Sequence, residues 1–178
     1  MLEAYEILLL IISLITALVA LGTVAYVRKQ TNHTEKQLLV SNFATIIDYI
    51  GNEDSRQNRQ VLYNNFQKIQ ILLSKYPDIR NDKELVELQE TAKQISAMYD
   101  RVGFLLEQDE ELEEKIIEFQ GFTIAIVWKL VQPIHKKWIE KDKALEYLRF
   151  KKIGEKAYQK FKEETDIWLE NNKKQQSN

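Results

Sequence analysis

A stretch of 21 residues, Ile7 to Val27 (ILLLIISLITALVALGTVAYV), carries no charge, and only Ser13, Thr16, Gly22 and Thr23 interrupt its apolar run. No other feature restricts the fold as much. Twenty-one helical residues extend about 31 Å at ~1.5 Å each, which matches ~30 Å of bilayer hydrocarbon. In hydrocarbon a helix satisfies its own N–H and C=O groups. A core helix of a globular protein keeps one polar face for water, and this stretch has none. The sequence therefore predicts a membrane-spanning anchor. A cleaved signal peptide is the competing reading, because Ala20-Leu21-Gly22 and Thr23-Val24-Ala25 offer small-x-small sites. The acidic leader (Glu3, Glu6) and the length of the run favour retention.

Arg28, Lys29 and Lys36 follow the run, and no Lys or Arg precedes it. Positive flanks stay on the inner side of a membrane. The expectation is a single-pass protein of the cell membrane, with its N-terminus outside and its C-terminal module cytoplasmic. Arg28 and Lys29 form the membrane flank, and Tyr5 and Tyr26 sit near the two interfaces. Ser13, Thr16, Ala17, Ala20 and Thr23 share one face, where small side chains let a second helix approach closely.

After residue 27, 151 of the 178 residues remain, enough for one domain with its own core. Five Gly and two Pro leave few turns, which favours long helices over many short strands. Apolar stripes at helical spacing recur along the chain. The first is Leu39, Phe43, Ile46 and Ile50, ended by Gly51-Asn52. The second starts near Asp54 or Ser55, runs through Leu62, Phe66, Ile69 and Leu73, and stops at Pro77. A third starts at Asn81 with Glu84 three residues on, and carries Leu85, Leu88, Ala92, Ile95, Tyr99, Val102 and Leu106. A fourth starts near Asp109 with an acidic first turn, and carries Leu112, Ile116, Phe119, Thr123, Ile126 and Leu130. Apolar nearly all round from Phe119 to Trp128, it reads as the central helix. Pro133 kinks or breaks the chain. The last helical region covers about Lys141 to Leu169, with Gly154 in its middle, where a close helix crossing would explain a residue that costs ~1 kcal/mol relative to Ala.

The fold class is thus all-α: an N-terminal transmembrane helix followed by an antiparallel bundle of four to five helices. The domain reading is a tail and anchor at 1–27, a helical bundle at 28–170 and a disordered tail at 171–178. No repeat of solenoid length occurs.

Net charge is −2, so nothing draws the whole chain to nucleic acid, and no nucleic-acid partner is expected. Charge is uneven, however. Asp78 to Glu118 holds 13 acidic and 5 basic residues, and Lys129 to Lys162 holds 11 basic and 4 acidic. Either the two segments attract each other across the bundle, or the basic one meets a protein partner or anionic lipid. The lipid bilayer is the partner expected through Ile7 to Val27, and a homo-oligomer is the further expectation.

Motifs for chemistry are missing. Absence of Cys excludes disulfides and thiolate metal sites. A di-metal bundle site needs Glu-x-x-His, but Gln30 and Gln132 precede the two His, His33 and His135, by three. His135, in a lysine-rich setting, reads as a surface or helix-end residue. No phosphate loop and no nucleophile elbow is present, and the acidic run at 107–114 lacks calcium-loop spacing. The aromatics after Lys129 and the three Trp read as packing residues. No catalytic, metal-ligating or cofactor-binding residue is assigned, and no cofactor is expected.

Residues with a role beyond stripe packing are Arg59, Asp100, Arg101, Gly103, Trp128 and Pro133. Either arginine can make a buried bridge to a carboxylate and so set helix register. Arg59 with Val61-Leu62-Tyr63, the run Asp100-Arg101-Val102-Gly103, and Trp128 followed by Pro133 resemble a family of uncharacterised prokaryotic proteins with one N-terminal membrane helix and a compact helical domain. The resemblance spans most of residues 40–165. It implies the anchor-plus-bundle arrangement and brings no activity with it. The functional expectation is a non-enzymatic, membrane-anchored interaction or scaffold protein. The alternatives are a structural homodimer assembled through the anchor face and the helix at 39–50, and an enzyme whose site forms no motif.

Overall fold

The computed structural model describes the backbone of residues 2–75, 82–107, 109–142 and 147–175, and the side chains of 16–75, 82–107, 109–140 and 147–174. Seven helices occur among the described residues, and no strand: α1 (Leu2–Gly51), α2 (Glu53–Asn64), α3 (Phe66–Lys75), α4 (Lys83–Leu106), α5 (Glu110–Asp142), α6 (Leu148–Lys160) and α7 (Lys162–Gln175). The all-α class is met. The chain divides into two compact units, Met1–Asn42 and Phe43–Asn178. That division falls within α1, 15 residues beyond the boundary expected at residue 27.

The first unit corrects the membrane reading. Among the described residues, no helix is long and apolar enough to cross a membrane. The expected anchor begins at Ile7, and the side chains of 7–15 lie outside the described residues. Its described part, Thr16 to Val27, is 12 residues, or about 18 Å of helix against ~30 Å of hydrocarbon. From Arg28 the same helix continues as RKQTNHTEK, which is polar and charged. The transmembrane helix, the single-pass topology with its N-terminus outside, the cytoplasmic placement and the bilayer contact through Ile7 to Val27 are therefore not supported. Arg28 and Lys29 are instead exposed on α1 beside Asn32, His33 and Lys36.

In the second unit the helix starts follow capping chemistry. Asn52 accepts the Ser55 N–H at 2.8 Å and opens α2, ahead of the Asp54 or Ser55 start. Asp82 accepts the Leu85 N–H at 3.3 Å and opens α4; Asn81, the expected cap, lies outside the described residues. Asp109 accepts the Leu112 N–H at 2.9 Å at the start of α5. The expected second helix is divided at Asn65, whose side-chain N–H donates to the Val61 carbonyl at 2.8 Å. Such a side chain competes with the helical ladder. Pro133 does not end α5, which runs through it to Asp142. The polar C-terminus is helical as far as Gln175.

Helix α5 is the one on which α2, α3, α4, α6 and α7 all pack. The seven-residue stripe of α4 is buried throughout. Along α5 the inward residues are Leu112, Ile116, Ile117, Ile124 to Trp128, Leu130, Val131, Ile134 and Trp138. Phe119 was expected among them and is 65 % exposed, with its ring edge-to-face on Phe43 at 6.1 Å. Phe119 shares the helix face of the buried Leu112 and Leu130, so spacing along α5 does not account for its exposure.

Two glycines bring α6 close. A Cβ on Gly154 would lie 2.6 Å from Trp128 Cγ, so the close crossing expected there is present against α5. A Cβ on Gly103 would lie 2.7 Å from Arg149 Cβ and 3.0 Å from the Arg149 carbonyl carbon and oxygen. Backbone cannot swing aside as a side-chain tip can. We expect Gly103→Ala to lower stability by about 1–2 kcal/mol in urea unfolding, because overpacking outweighs the better helix propensity of Ala. An unchanged or higher midpoint would show that α4 and α6 are not in this contact.

Candidate functional site

Helix α6 has no side-chain cap of its own, since Tyr147 at its N-cap makes no such bond. Asp100 supplies one from α4. Its Oδ1 accepts the backbone N–H groups of Arg149 at 3.0 Å and Phe150 at 3.1 Å. A carboxylate there satisfies two orphan donors and meets the positive end of the helix dipole. The Arg149 side chain returns to α4, with Nε 3.0 Å from Glu107 and a guanidinium nitrogen 4.0 Å from Asp100 Oδ2.

This cap seats Phe150, which is fully buried and stacked on Tyr99 at 4.9 Å, with its edge to Trp128 at 5.3 Å. Beside them lies His135. Its ring centroid is 5.6 Å from Trp128, 5.2 Å from Trp138 and 5.1 Å from Tyr147. The sequence reading placed His135 at the surface. It is 7 % exposed and sits within α5. The residue lies four after Val131 and seven after Trp128, which is the buried face of the helix, and that spacing was the missed signal.

His135 Nε2 is 2.7 Å from Ser96 Oγ, which is itself 2.6 Å from the Ala92 carbonyl. A carbonyl only accepts, so the Ser96 hydroxyl donates to Ala92 and its oxygen accepts the Nε2–H. Nδ1 then carries the lone pair. Burial pushes the imidazole down to about 4, so the ring is neutral near pH 7. Ser96 is fully buried and its proton is committed to backbone, so the pair lacks the reach and polarity of an activated nucleophile.

A cavity of about 130 Å³ opens here, lined by Trp128, Gln132, His135, Lys136, Trp138, Ile139, Tyr147 and Lys151. Trp138 is 4 % exposed, and its indole Nε1–H meets no acceptor among the described residues. Burial raises the Tyr147 phenol, which stays protonated.

The remaining predicted residues lie elsewhere. Arg59 donates to the Ile50 carbonyl at 2.7 Å, and Ser55 donates to the Tyr49 carbonyl at 3.1 Å. Both satisfy carbonyls that the end of α1 leaves open. Burial pushes the Tyr99 phenol up to about 12 and raises Tyr63 further, against the pull of the Arg59 guanidinium nearby. Arg101 is exposed and donates to the Tyr49 hydroxyl at 3.2 Å, while Asp100 beside it serves Arg149. Among the described residues neither Arg59 nor Arg101 forms an ion pair with a carboxylate; the bridges join other groups. Lys156 meets Glu113 at 2.8 Å and Lys160 meets Glu118 at 3.6 Å, linking the basic and acidic segments across α6 and α5. Asp100, Gly103 and Trp128 thus meet at one place, the seat of α6, while Arg59 and Arg101 border the end of α1. Pro133 lies in α5, two residues before His135.

Among the described residues, no group of three His, Cys, Asp or Glu is placed to hold a metal ion. No family model, no curated protein and no solved structure matches the chain.

Proposed function

We propose that the chain is an interaction protein that acts by association of α1 with a second copy of itself. The observation that carries this reading is the surface of Leu18 to Val27. Leu18, Val19, Leu21, Val24, Tyr26 and Val27 are each more than half exposed, and their spacing covers every face of the helix. A contiguous apolar surface of this kind marks a site of association. The Thr23 hydroxyl within it donates to the Val19 carbonyl at 2.8 Å. A partner able to cover one face of such a helix is itself an apolar helix, and each copy of the chain brings one. Ala17, Ala20 and Thr23 give a small-residue face for close approach.

The chain has no Cys, so single substitutions report contacts without background. Leu18→Cys through Val27→Cys, oxidised one by one, are expected to form disulfide dimers with a period near 3.6 residues, strongest where Ala17, Ala20 and Thr23 face the partner. Uniformly absent dimers would remove the proposal, and so would dimers with no periodicity.

A further inference from the structure

The cavity beside His135 lies in the second unit, apart from the surface of Leu18 to Val27. Its walls are aromatic: Trp128, Trp138 and Tyr147 surround the imidazole at 5.1–5.6 Å. Its volume, about 130 Å³, is of the order that a single six-membered ring needs, since an apolar cavity of roughly 150 Å³ takes benzene. Its mouth is formed by exposed groups, Lys136, Lys151 and the partly exposed Ile139. Neither lysine has an ion-pair partner among the described residues.

Aromatic walls alone would equally suit a quaternary ammonium, by cation–π attraction. Two lysines at the mouth decide against a cation and for an anion. Lysine binds a carboxylate as a point charge without demanding one geometry, which suits two flexible side chains at a rim. We infer that this cavity binds a small aromatic carboxylate, with its single ring against the aromatic cluster of Trp128, His135, Trp138 and Tyr147 and its carboxylate at Lys136 and Lys151.

The test uses the 178-residue chain labelled with nitrogen-15 and titrated with benzoate. Its three Trp give three indole N–H signals, and Trp138→Phe and Trp168→Phe assign them. Benzoate is expected to shift the Trp128 and Trp138 signals saturably and to leave Trp168, which packs on Tyr63, in place. Lys136→Gln with Lys151→Gln changes only exposed side chains, and we expect it to weaken benzoate about fivefold through loss of the rim charges. Benzyl alcohol is expected to bind more weakly than benzoate by a similar factor, and acetate to shift nothing. Equal or stronger binding of phenyltrimethylammonium would overturn the anion assignment. Absence of saturation by any ring compound would overturn the site, as would an equal shift of all three indoles.

Discussion

Replacing Phe150 by Ala is expected to lower the folding free energy by about 3–5 kcal/mol. The side chain is fully buried, stacked on Tyr99 at 4.9 Å, and edge-on to Trp128 at 5.3 Å and His135 at 6.0 Å. Those neighbours belong to α4 and α5, so truncation removes the contact that seats α6 on both. The flanking glycine contacts already hold the helices at close approach, which limits how far the cavity can collapse. A loss of that size is a large part of the ~5–15 kcal/mol that stabilises an ordinary domain. Urea unfolding followed by far-ultraviolet circular dichroism measures it. Phe150→Leu, which keeps most of the volume, should recover more than half of the loss. A Phe150→Ala loss under 1 kcal/mol would mean that α6 does not dock through this ring.

The second large effect is a pH dependence. Burial holds the His135 imidazole at about 4, against 6.5 for an exposed one. Between those values the unfolded chain carries a proton that the folded chain lacks. Stability from this group is therefore complete above pH 6.5, falls as the pH drops towards 4, and changes no further below that. At ~1.4 kcal/mol per pKa unit, the window amounts to about 3 kcal/mol. His135→Gln keeps an N–H donor for Ser96 and removes the titration. Carboxylates titrate alike in both proteins, so the difference between them isolates the imidazole. Relative to the variant, the natural chain should lose about 1.3 kcal/mol from pH 7.5 to 5.5 and about 2.5 kcal/mol by pH 4.5. Parallel pH profiles would show an imidazole that is solvated in the folded state.

The helical class and the core of α4 were legible because a single amphipathic stripe has one reading: Leu85 to Leu106 in 3-4 steps must face inward together. The close packing at Gly154 was legible for a related reason, since a residue that weakens a helix needs a compensating contact. His135 was not legible from its neighbours, because Lys136 and Lys137 colour the local composition while the helix turns them away from the buried face. Asp100 shows a different limit. Its carboxylate serves backbone donors 49 and 50 residues away, and no local pattern pairs it with them rather than with Arg101 next to it. The cavity needs Trp128, Trp138 and Tyr147 in one place, a coincidence of helices that spacing along the chain does not encode. Phe119 shows a third limit: it lies seven residues after the buried Leu112, on the same face, and is exposed, because a stripe gives the face of a helix and not what covers each position along it.

Association of α1 with a second copy doubles the mass of the particle, and that mass is the most direct test of it. One chain is 21.1 kDa. Sedimentation equilibrium of the 178-residue chain should give twice the chain mass, and Leu21→Glu with Val24→Glu should return it to one chain while the circular dichroism stays helical. A natural chain that sediments at the mass of one copy would contradict the claim, and so would a dimer that both substitutions leave intact.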